Sequence, residues 1–171
     1  VYVGNALVYI SLDDYEAIDI ANLSEDNFEE EFENAFEKEM CKVGIHVISA
    51  DTKVEVLVTE NAAKDLLNAL TQADQPRIYI NDTDIIVSDD DKVMAAAINN
   101  GKVKAFETIK ENGYARGADS SVLYYIGDER HEDEDTYCNV YSYHNGKAKC
   151  IAENIIYNLI DIYEDGKIYV Y

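Results

Sequence analysis

Residues 137–151 read YCNVYSYHNGKAKCI, and this stretch gives the clearest local signal in the chain. Asn145-Gly146 is the preferred two-residue turn of a β-hairpin, because both positions of that turn require a positive φ. The turn also sets the register, so that His144 pairs with Lys147. Tyrosines alternating with smaller residues before the turn are typical of a strand. We therefore predict an antiparallel hairpin over 137–151.

The same kind of pattern predicts further strands. A second hairpin is predicted over 77–88, where apolar residues flank Asp82-Thr83-Asp84. A small hairpin over 1–10 turns at Gly4-Asn5. Other strands are predicted over 45–49, 53–59, 121–126 and 167–171, with a charged loop over 128–135.

Apolar residues spaced three or four apart predict helices. The first helix begins after Ser24 and ends at Gly44. Its apolar stripe, expected to face a core, is formed by Phe28, Phe32, Phe36 and Met40. A second helix is capped by Thr59 and ends before Pro76, and three more are predicted over 89–100, 102–112 and 152–164. The expected fold class is α+β, with a mixed or antiparallel sheet and about four to five helices.

The length and composition of the chain limit the number of domains it can form. The 171 residues contain no Pro/Gly/Ser-rich linker, and 47% of them are hydrophobic, which is enough for a core. We expect a single acidic α+β domain over 1–171, and a division into subdomains 1–75 and 76–171 stays open. No apolar run approaches the roughly 20 residues of a membrane span, and no signal peptide is expected. Three cysteines are typical of a reducing compartment, so we expect the cytoplasm of a bacterial cell.

The charge balance restricts the partner. The chain has 14 Lys+Arg against 35 Asp+Glu, a formal net charge of −21. Binding to bare nucleic acid or to an anionic membrane needs a surplus of basic residues, so neither is expected. Solubility needs a net charge of only about 2–8 in magnitude, and the excess destabilises the compact state through self-repulsion. A positively charged protein partner would offset this cost.

The acidic residues are concentrated in three segments. Residues 13–39 contain twelve acids and one base, and residues 128–135 contain six acids and one base. A third group lies within 82–91. In the first helix, four like-charged pairs at i,i+4 each destabilise the helix by about 0.2–0.5 kcal/mol. Their carboxylates are about 6 Å apart along the axis, so such a row can stand in for a phosphate backbone.

The candidate partner-binding residues come from two of these segments. They are Glu25, Asp26, Glu29, Glu30, Glu33, Glu37, Asp128, Glu129, Glu132, Asp133, Glu134 and Asp135. Tyrosine, of which there are 14, is an amphipathic side chain that interfaces favour.

Catalytic and metal-binding motifs do not emerge from the sequence. There is no phosphate-binding glycine loop, no Gly-x-Ser-x-Gly and no EF-hand spacing. His131, Cys138, His144 and Cys150 lack the close pair of a zinc site. The hairpin register also places Cys150 with Tyr141 on an apolar face and Cys138 on the other. We expect no catalytic residue, no metal and no cofactor.

Three function classes remain. The leading hypothesis is a nucleic-acid mimic, an inhibitor that occupies the DNA- or RNA-binding cleft of a basic bacterial protein. Phage and mobile-element proteins that block restriction or CRISPR enzymes have this kind of composition. The alternative is an immunity or antitoxin-like protein that neutralises a basic toxin nuclease. The third is an ion-binding domain or hydrolase that uses the acidic loops 82–91 or 128–135. A homodimer stays open.

Overall fold

A computed structural model describes residues 1–11, 24, 27–40, 44–119, 121–162 and 168–170; residues 11, 33, 36–40, 159, 161, 162 and 168–170 are described by their backbone alone. Within these ranges there are two α-helices, Phe28–Met40 (α1) and Glu60–Gln72 (α2), and a 3-10 turn at Tyr157–Leu159. The strands are Tyr2–Val3 (β1), Ala6–Ser11 (β2), Gly44–Ser49 (β3), Glu55–Val58 (β4), Arg77–Ile80 (β5), Asp84–Ser88 (β6), Lys92–Ala97 (β7), Lys102–Val103 (β8), Glu107–Glu111 (β9), Tyr114–Ala118 (β10), Leu123–Glu132 (β11), Asp135–His144 (β12), Lys147–Ile156 (β13), Ile160–Ile162 (β14) and Ile168–Val170 (β15).

The strands form three larger sheets and one small one. Sheet A has the order β1-β2-β3-β4-β8, sheet B the order β5-β6-β7-β9, and sheet C the order β10-β11-β12-β13. The strands β14 and β15 pair separately. The predicted α+β class with about four to five helices is therefore wrong, because the protein is mostly β.

Sheet B lies in the middle of the hydrophobic core. One cluster joins its Ile85 and Val87 to sheet A and to Leu66 of α2. A second cluster joins Ile86, on the opposite face of β6, to Tyr125 of sheet C. All five residues of β6 are buried, as expected for a strand covered on both faces.

The predicted hairpins are present. The strands β5 and β6 pair around residues 81–83, and β1 pairs with β2 around Gly4 and Asn5. His144 pairs with Lys147, which confirms the register predicted from the Asn145-Gly146 turn. Both turn residues have a positive φ, 49° and 72°. The hairpin continues beyond 137–151, since Tyr137 pairs with Ile156.

Three predicted helices are strands instead. Segment 89–100 contains β7 instead of the predicted helix. Pairing with β6 and β9 and burial on both faces override the weak intrinsic preference of its three alanines for a helix. Segment 102–112 contains β8 and β9, and its residues 107–111 pair with β7. Segment 152–164 contains the end of β13, the 3-10 turn and β14. Irregular pairing between β12 and β13 interrupts the two-residue alternation of apolar and polar side chains along β13. The apolar residues of this segment are therefore spaced three or four apart, as in a helix.

The first predicted helix is correct in kind but not in detail. Its described part is Phe28–Met40, and the backbone N–H of Ser24 donates a hydrogen bond to the Glu31 carboxylate at 2.8 Å. Phe28 is 44% exposed and stacks on Phe32, so the start of the predicted core stripe does not reach the core. The side chains of Phe36 and Met40 lie outside the described residues.

The faces predicted for the two cysteines are confirmed. Cys150 pairs with Tyr141, as predicted, and is half-buried. Cys138 lies on the opposite face, but it is buried there with Val140 and Ile160. The second face of sheet C is therefore apolar as well, because Tyr157 and Ile160 pack against it. Within the described residues, no group of three His, Cys, Asp or Glu side chains could hold a metal ion.

Candidate acidic interface

The segment 128–135 is the end of a hairpin and not the predicted charged loop. A bulge between Gly127 and Arg130 interrupts the pairing of β11 with β12. Pairing then resumes and ends at Glu132 opposite Asp135. Asp133 takes a positive φ of 55° in the two-residue turn. We call residues 129–135 the acidic tip.

The carboxylates of the acidic tip are exposed and almost unpaired. Glu132 lies 3.6 Å from Arg130, which is also bonded to Asn154. Among the described residues, nothing forms a hydrogen bond or ion pair with the carboxylates of Glu129, Asp133, Glu134 and Asp135. Glu132 and Asp135 face each other across the strands, an arrangement of like charges that destabilises a sheet. The acidic tip therefore lowers the stability of its own hairpin.

Asp128, a predicted partner-binding residue, is bound within the protein. Its carboxylate accepts hydrogen bonds from the ammonium of Lys110, the hydroxyl of Tyr141 and the amide of Asn139. The bonds from Lys110 and Tyr141 hold the pKa of Asp128 below its usual value. The aliphatic chain of Lys110 crosses the bare Cα of Gly127, where a Cβ would lie 2.7 Å from the lysine Cε. Asp128 thus anchors the base of the acidic tip.

A groove connects the acidic tip with the far end of sheet B. Its volume is about 430 Å³, and it is lined by carboxylates from three elements, Asp74, Asp90 and Glu129. Tyr114 and Tyr157 also line it. The Asp90 carboxylate accepts a hydrogen bond from the backbone N–H of Asp74 at 2.7 Å, which ties the end of α2 to the β6–β7 turn. We call this feature the acidic groove.

The two tyrosines of the acidic groove lie close to carboxylates and to arginines. Burial raises the pKa of Tyr114, and the negative charge of Glu129 raises it further. Arg77, also in the lining, acts in the opposite direction. The guanidinium of Arg116 lies 4.7 Å from the centre of the Tyr157 ring. This tyrosine therefore forms a cation–π contact within the protein.

The remaining predicted partner residues belong to the first helix or lie before it. Glu29 and Glu30 are exposed in the first turn of α1. Glu33 and Glu37 lie within α1, but their side chains are outside the described residues, as are Glu25 and Asp26 altogether. No described residue of α1 lines the acidic groove. The groove brings Glu129 together with Asp74 and Asp90 instead.

The third acidic segment, 82–91, is divided between the two ends of β6. Asp84 is buried, and its carboxylate accepts hydrogen bonds from the backbone N–H groups of Asn145 at 2.8 Å and Gly146 at 3.3 Å. Asp89 accepts two backbone N–H groups of its own turn. These two carboxylates stabilise turns at opposite ends of β6, so they do not form a single ion-binding site.

Sequence reasoning did not identify Asp74 or the two groove tyrosines. Asp74 follows α2, 16 residues from Asp90 in sequence. Only the packing of α2 and sheet C around sheet B brings them to one place. The acidic residues at 89–91 were visible in the sequence, but they did not indicate which residues lie beside them in the folded protein.

Comparisons with known proteins give no match: no protein-family model, no curated protein and no solved structure matches the chain. Among the helices of the described residues, none has the length and apolar character needed to cross a membrane.

Proposed function

We propose that this protein is a binding protein that occupies the nucleic-acid-binding cleft of a basic bacterial protein. The observation that carries the proposal is the acidic tip, whose exposed carboxylates are held on a paired hairpin with one internal cation nearby. Four consecutive acidic residues, Glu132 to Asp135, form the turn of this hairpin and the strand ends beside it. The hairpin therefore presents a compact cluster of exposed negative charge to the basic side chains that line a nucleic-acid cleft.

The energetics of the acidic tip support a role in binding. Like charges face each other at its end, at a cost to folding that the ion pair of Arg130 with Glu132 offsets only in part. A partner's Lys and Arg side chains would remove that repulsion on binding. Complementary charge would also accelerate association, with a strong dependence on salt.

The acidic groove adds apolar surface to the charged surface of the acidic tip. Tyr114 and Tyr157 offer apolar surface beside the carboxylates of Asp90 and Glu129. Interfaces obtain most of their affinity from a few anchors of this kind, enclosed by polar contacts. The partner is therefore expected to insert a basic side chain beside these rings. Restriction, CRISPR or related nucleases of the bacterial cytoplasm are the proposed targets, and a phage or mobile element the proposed source.

The proposal is tested with two charge-matched variants. The tip variant carries Asp133→Asn, Glu134→Gln and Asp135→Asn. The control variant carries Asp51→Asn, Asp65→Asn and Asp82→Asn, which change the net charge equally and lie outside the acidic tip. Each tagged protein is incubated with nuclease-treated bacterial lysate at low salt, and bound proteins are eluted at high salt.

We expect the wild-type protein and the control variant to capture the same DNA- or RNA-processing protein, and the tip variant to lose it. Equal capture by the tip variant would contradict a role for the acidic tip. Capture of a single small basic toxin would favour the immunity hypothesis instead. Capture of no salt-sensitive basic protein would overturn both.

A further inference from the structure

A second groove opens far from the acidic tip, at the end of β12 where the Asn145-Gly146 turn lies. Its volume is about 780 Å³, within the range of small-ligand sites. Ala95, Ala96 and Ala97 of β7 line it together with Ala105 and Tyr143, although Ala95 and Ala96 are almost fully buried on opposite faces of sheet B. We call it the alanine groove. It is independent of the proposed partner-binding surface.

The open space has a structural cause. The side chains of β7 end at Cβ at its last three positions, whereas β6 beside it carries Ile85 and Ile86. In addition, β9 pairs with β7 only as far as Ala95 opposite Glu107. Neither large side chains nor a neighbouring strand fills the position beside Ala97.

This arrangement leaves a backbone donor open at the groove. The N–H of Ile98 donates to Thr83 at 2.7 Å, toward β6. Because successive N–H groups of a strand point to opposite sides, the N–H of Ala97 points away from β6, to the side that β9 has left. No described residue accepts a hydrogen bond from it.

A cation lies on the rim of the same groove. Lys102 follows a tight turn in which Asn99 and Lys102 exchange two backbone hydrogen bonds of 3.0 Å. Its ammonium has no partner among the described residues, whereas the neighbouring Lys104 is paired with Glu60 at 2.8 Å. Glu107 is the one carboxylate among the described residues of the lining, so Lys102 is the cation of the groove that is left for a ligand.

We propose that the alanine groove binds a monocarboxylate with an apolar body. The carboxylate accepts hydrogen bonds from the Ala97 N–H and the Lys102 ammonium, and the apolar body lies on the alanines against Tyr143. Glu107 and the net charge of the protein disfavour dianions such as phosphate. A free fatty or aromatic acid and the carboxyl terminus of a peptide share this chemistry.

Titration of ¹⁵N-labelled full-length protein tests the proposal, with hexanoate as the probe and hexanamide as its neutral counterpart. We expect saturable amide shifts at residues 95–105 with hexanoate, at least tenfold weaker binding of hexanamide, and little response to inorganic phosphate. Acetyl-tetraalanine with a free or an amidated terminus distinguishes the two sources, since only a peptide site would bind the free form more tightly than hexanoate.

Two variants locate the site. Lys102→Gln should weaken hexanoate binding at least fivefold, whereas Lys53→Gln, an exposed lysine in the β3–β4 turn, should leave it unchanged. The amide spectrum shows at the same time that each variant is folded. Equal binding of hexanamide and hexanoate, an unchanged affinity of Lys102→Gln, or no localised shift with any probe would overturn the proposal.

Discussion

The two halves of the β11–β12 hairpin have the same antiparallel pairing and opposite surroundings. In the first half, Leu123 and Tyr125 are buried against sheet B. Beyond the bulge at Gly127, the second half is exposed and ends in carboxylates. The bulge and the Lys110–Asp128 contact separate the halves. One continuous element thus supplies core at one end and a charged surface at the other.

This difference shows which half of the hairpin lowers the stability of the protein. In the buried half apolar packing supports the fold, and Tyr125 stacks on Tyr141 with ring centres 5.0 Å apart. In the exposed half, like charges oppose the fold. A feature that costs stability and contributes nothing to the core is typical of a functional surface. Mutations in the two halves should therefore have opposite effects on folding and binding.

The largest expected effect is in the buried half. Leu123→Ala removes a fully buried side chain and leaves a cavity, so the free energy of unfolding should fall by about 2–5 kcal/mol. Urea unfolding monitored by circular dichroism measures it. The matched change Glu132→Ala in the exposed half should alter the unfolding free energy by less than about 0.5 kcal/mol. Equal losses in both variants would show that the halves do not differ.

A smaller effect is expected at the opposite end of β12. Asp84→Asn replaces one acceptor oxygen with a donor, which faces the N–H groups of Asn145 and Gly146. Leaving a buried group unsatisfied costs about 1–3 kcal/mol, measurable by urea unfolding. Hydrogen exchange of the Asn145 and Gly146 amides should also accelerate. Unchanged exchange would mean that Asp84 does not hold this turn.

The junction between the halves should depend on pH. The pKa of Asp128 is lowered in the folded protein, so its contribution to stability is present above the ordinary carboxyl pKa and is lost as the pH falls through the lowered value. Because Asp128 is partly exposed, the contribution should be about 0.2–1 kcal/mol. Unfolding of the wild-type protein and Asp128→Asn should differ at pH 7 and converge at strongly acidic pH. A constant difference would contradict this account.

The smallest effect on folding is expected at the acidic tip. The tip variant described above removes repulsion and no internal bond, so its unfolding free energy should be equal to or slightly above that of the wild-type protein. The gain should shrink as salt screens the repulsion. Comparison of urea midpoints at low and high salt measures this. A clear loss of stability would show that these carboxylates support the fold.

The sequence predicted what depends on neighbours along the chain. The Asn145-Gly146 turn identifies its own hairpin, so the register of β12 with β13 was predictable. The helix over 89–100 was predicted wrongly because alanine and valine in β7 do not reveal that two sheets cover them. The acidic tip was visible as a charge cluster. The convergence of Asp74 with Glu129 was not, because it depends on how α2 and sheet C pack on sheet B.

We propose that the acidic tip and the acidic groove take the place of nucleic acid in the partner's cleft. The most direct measurement uses the captured partner with a fluorescently labelled oligonucleotide that it binds, titrated with this protein at several salt concentrations. We expect full displacement that a higher oligonucleotide concentration reverses, with an affinity that falls steeply with salt. The tip variant should displace far less oligonucleotide than the control variant. A ternary complex, in which the partner holds this protein and the oligonucleotide together, would contradict the account.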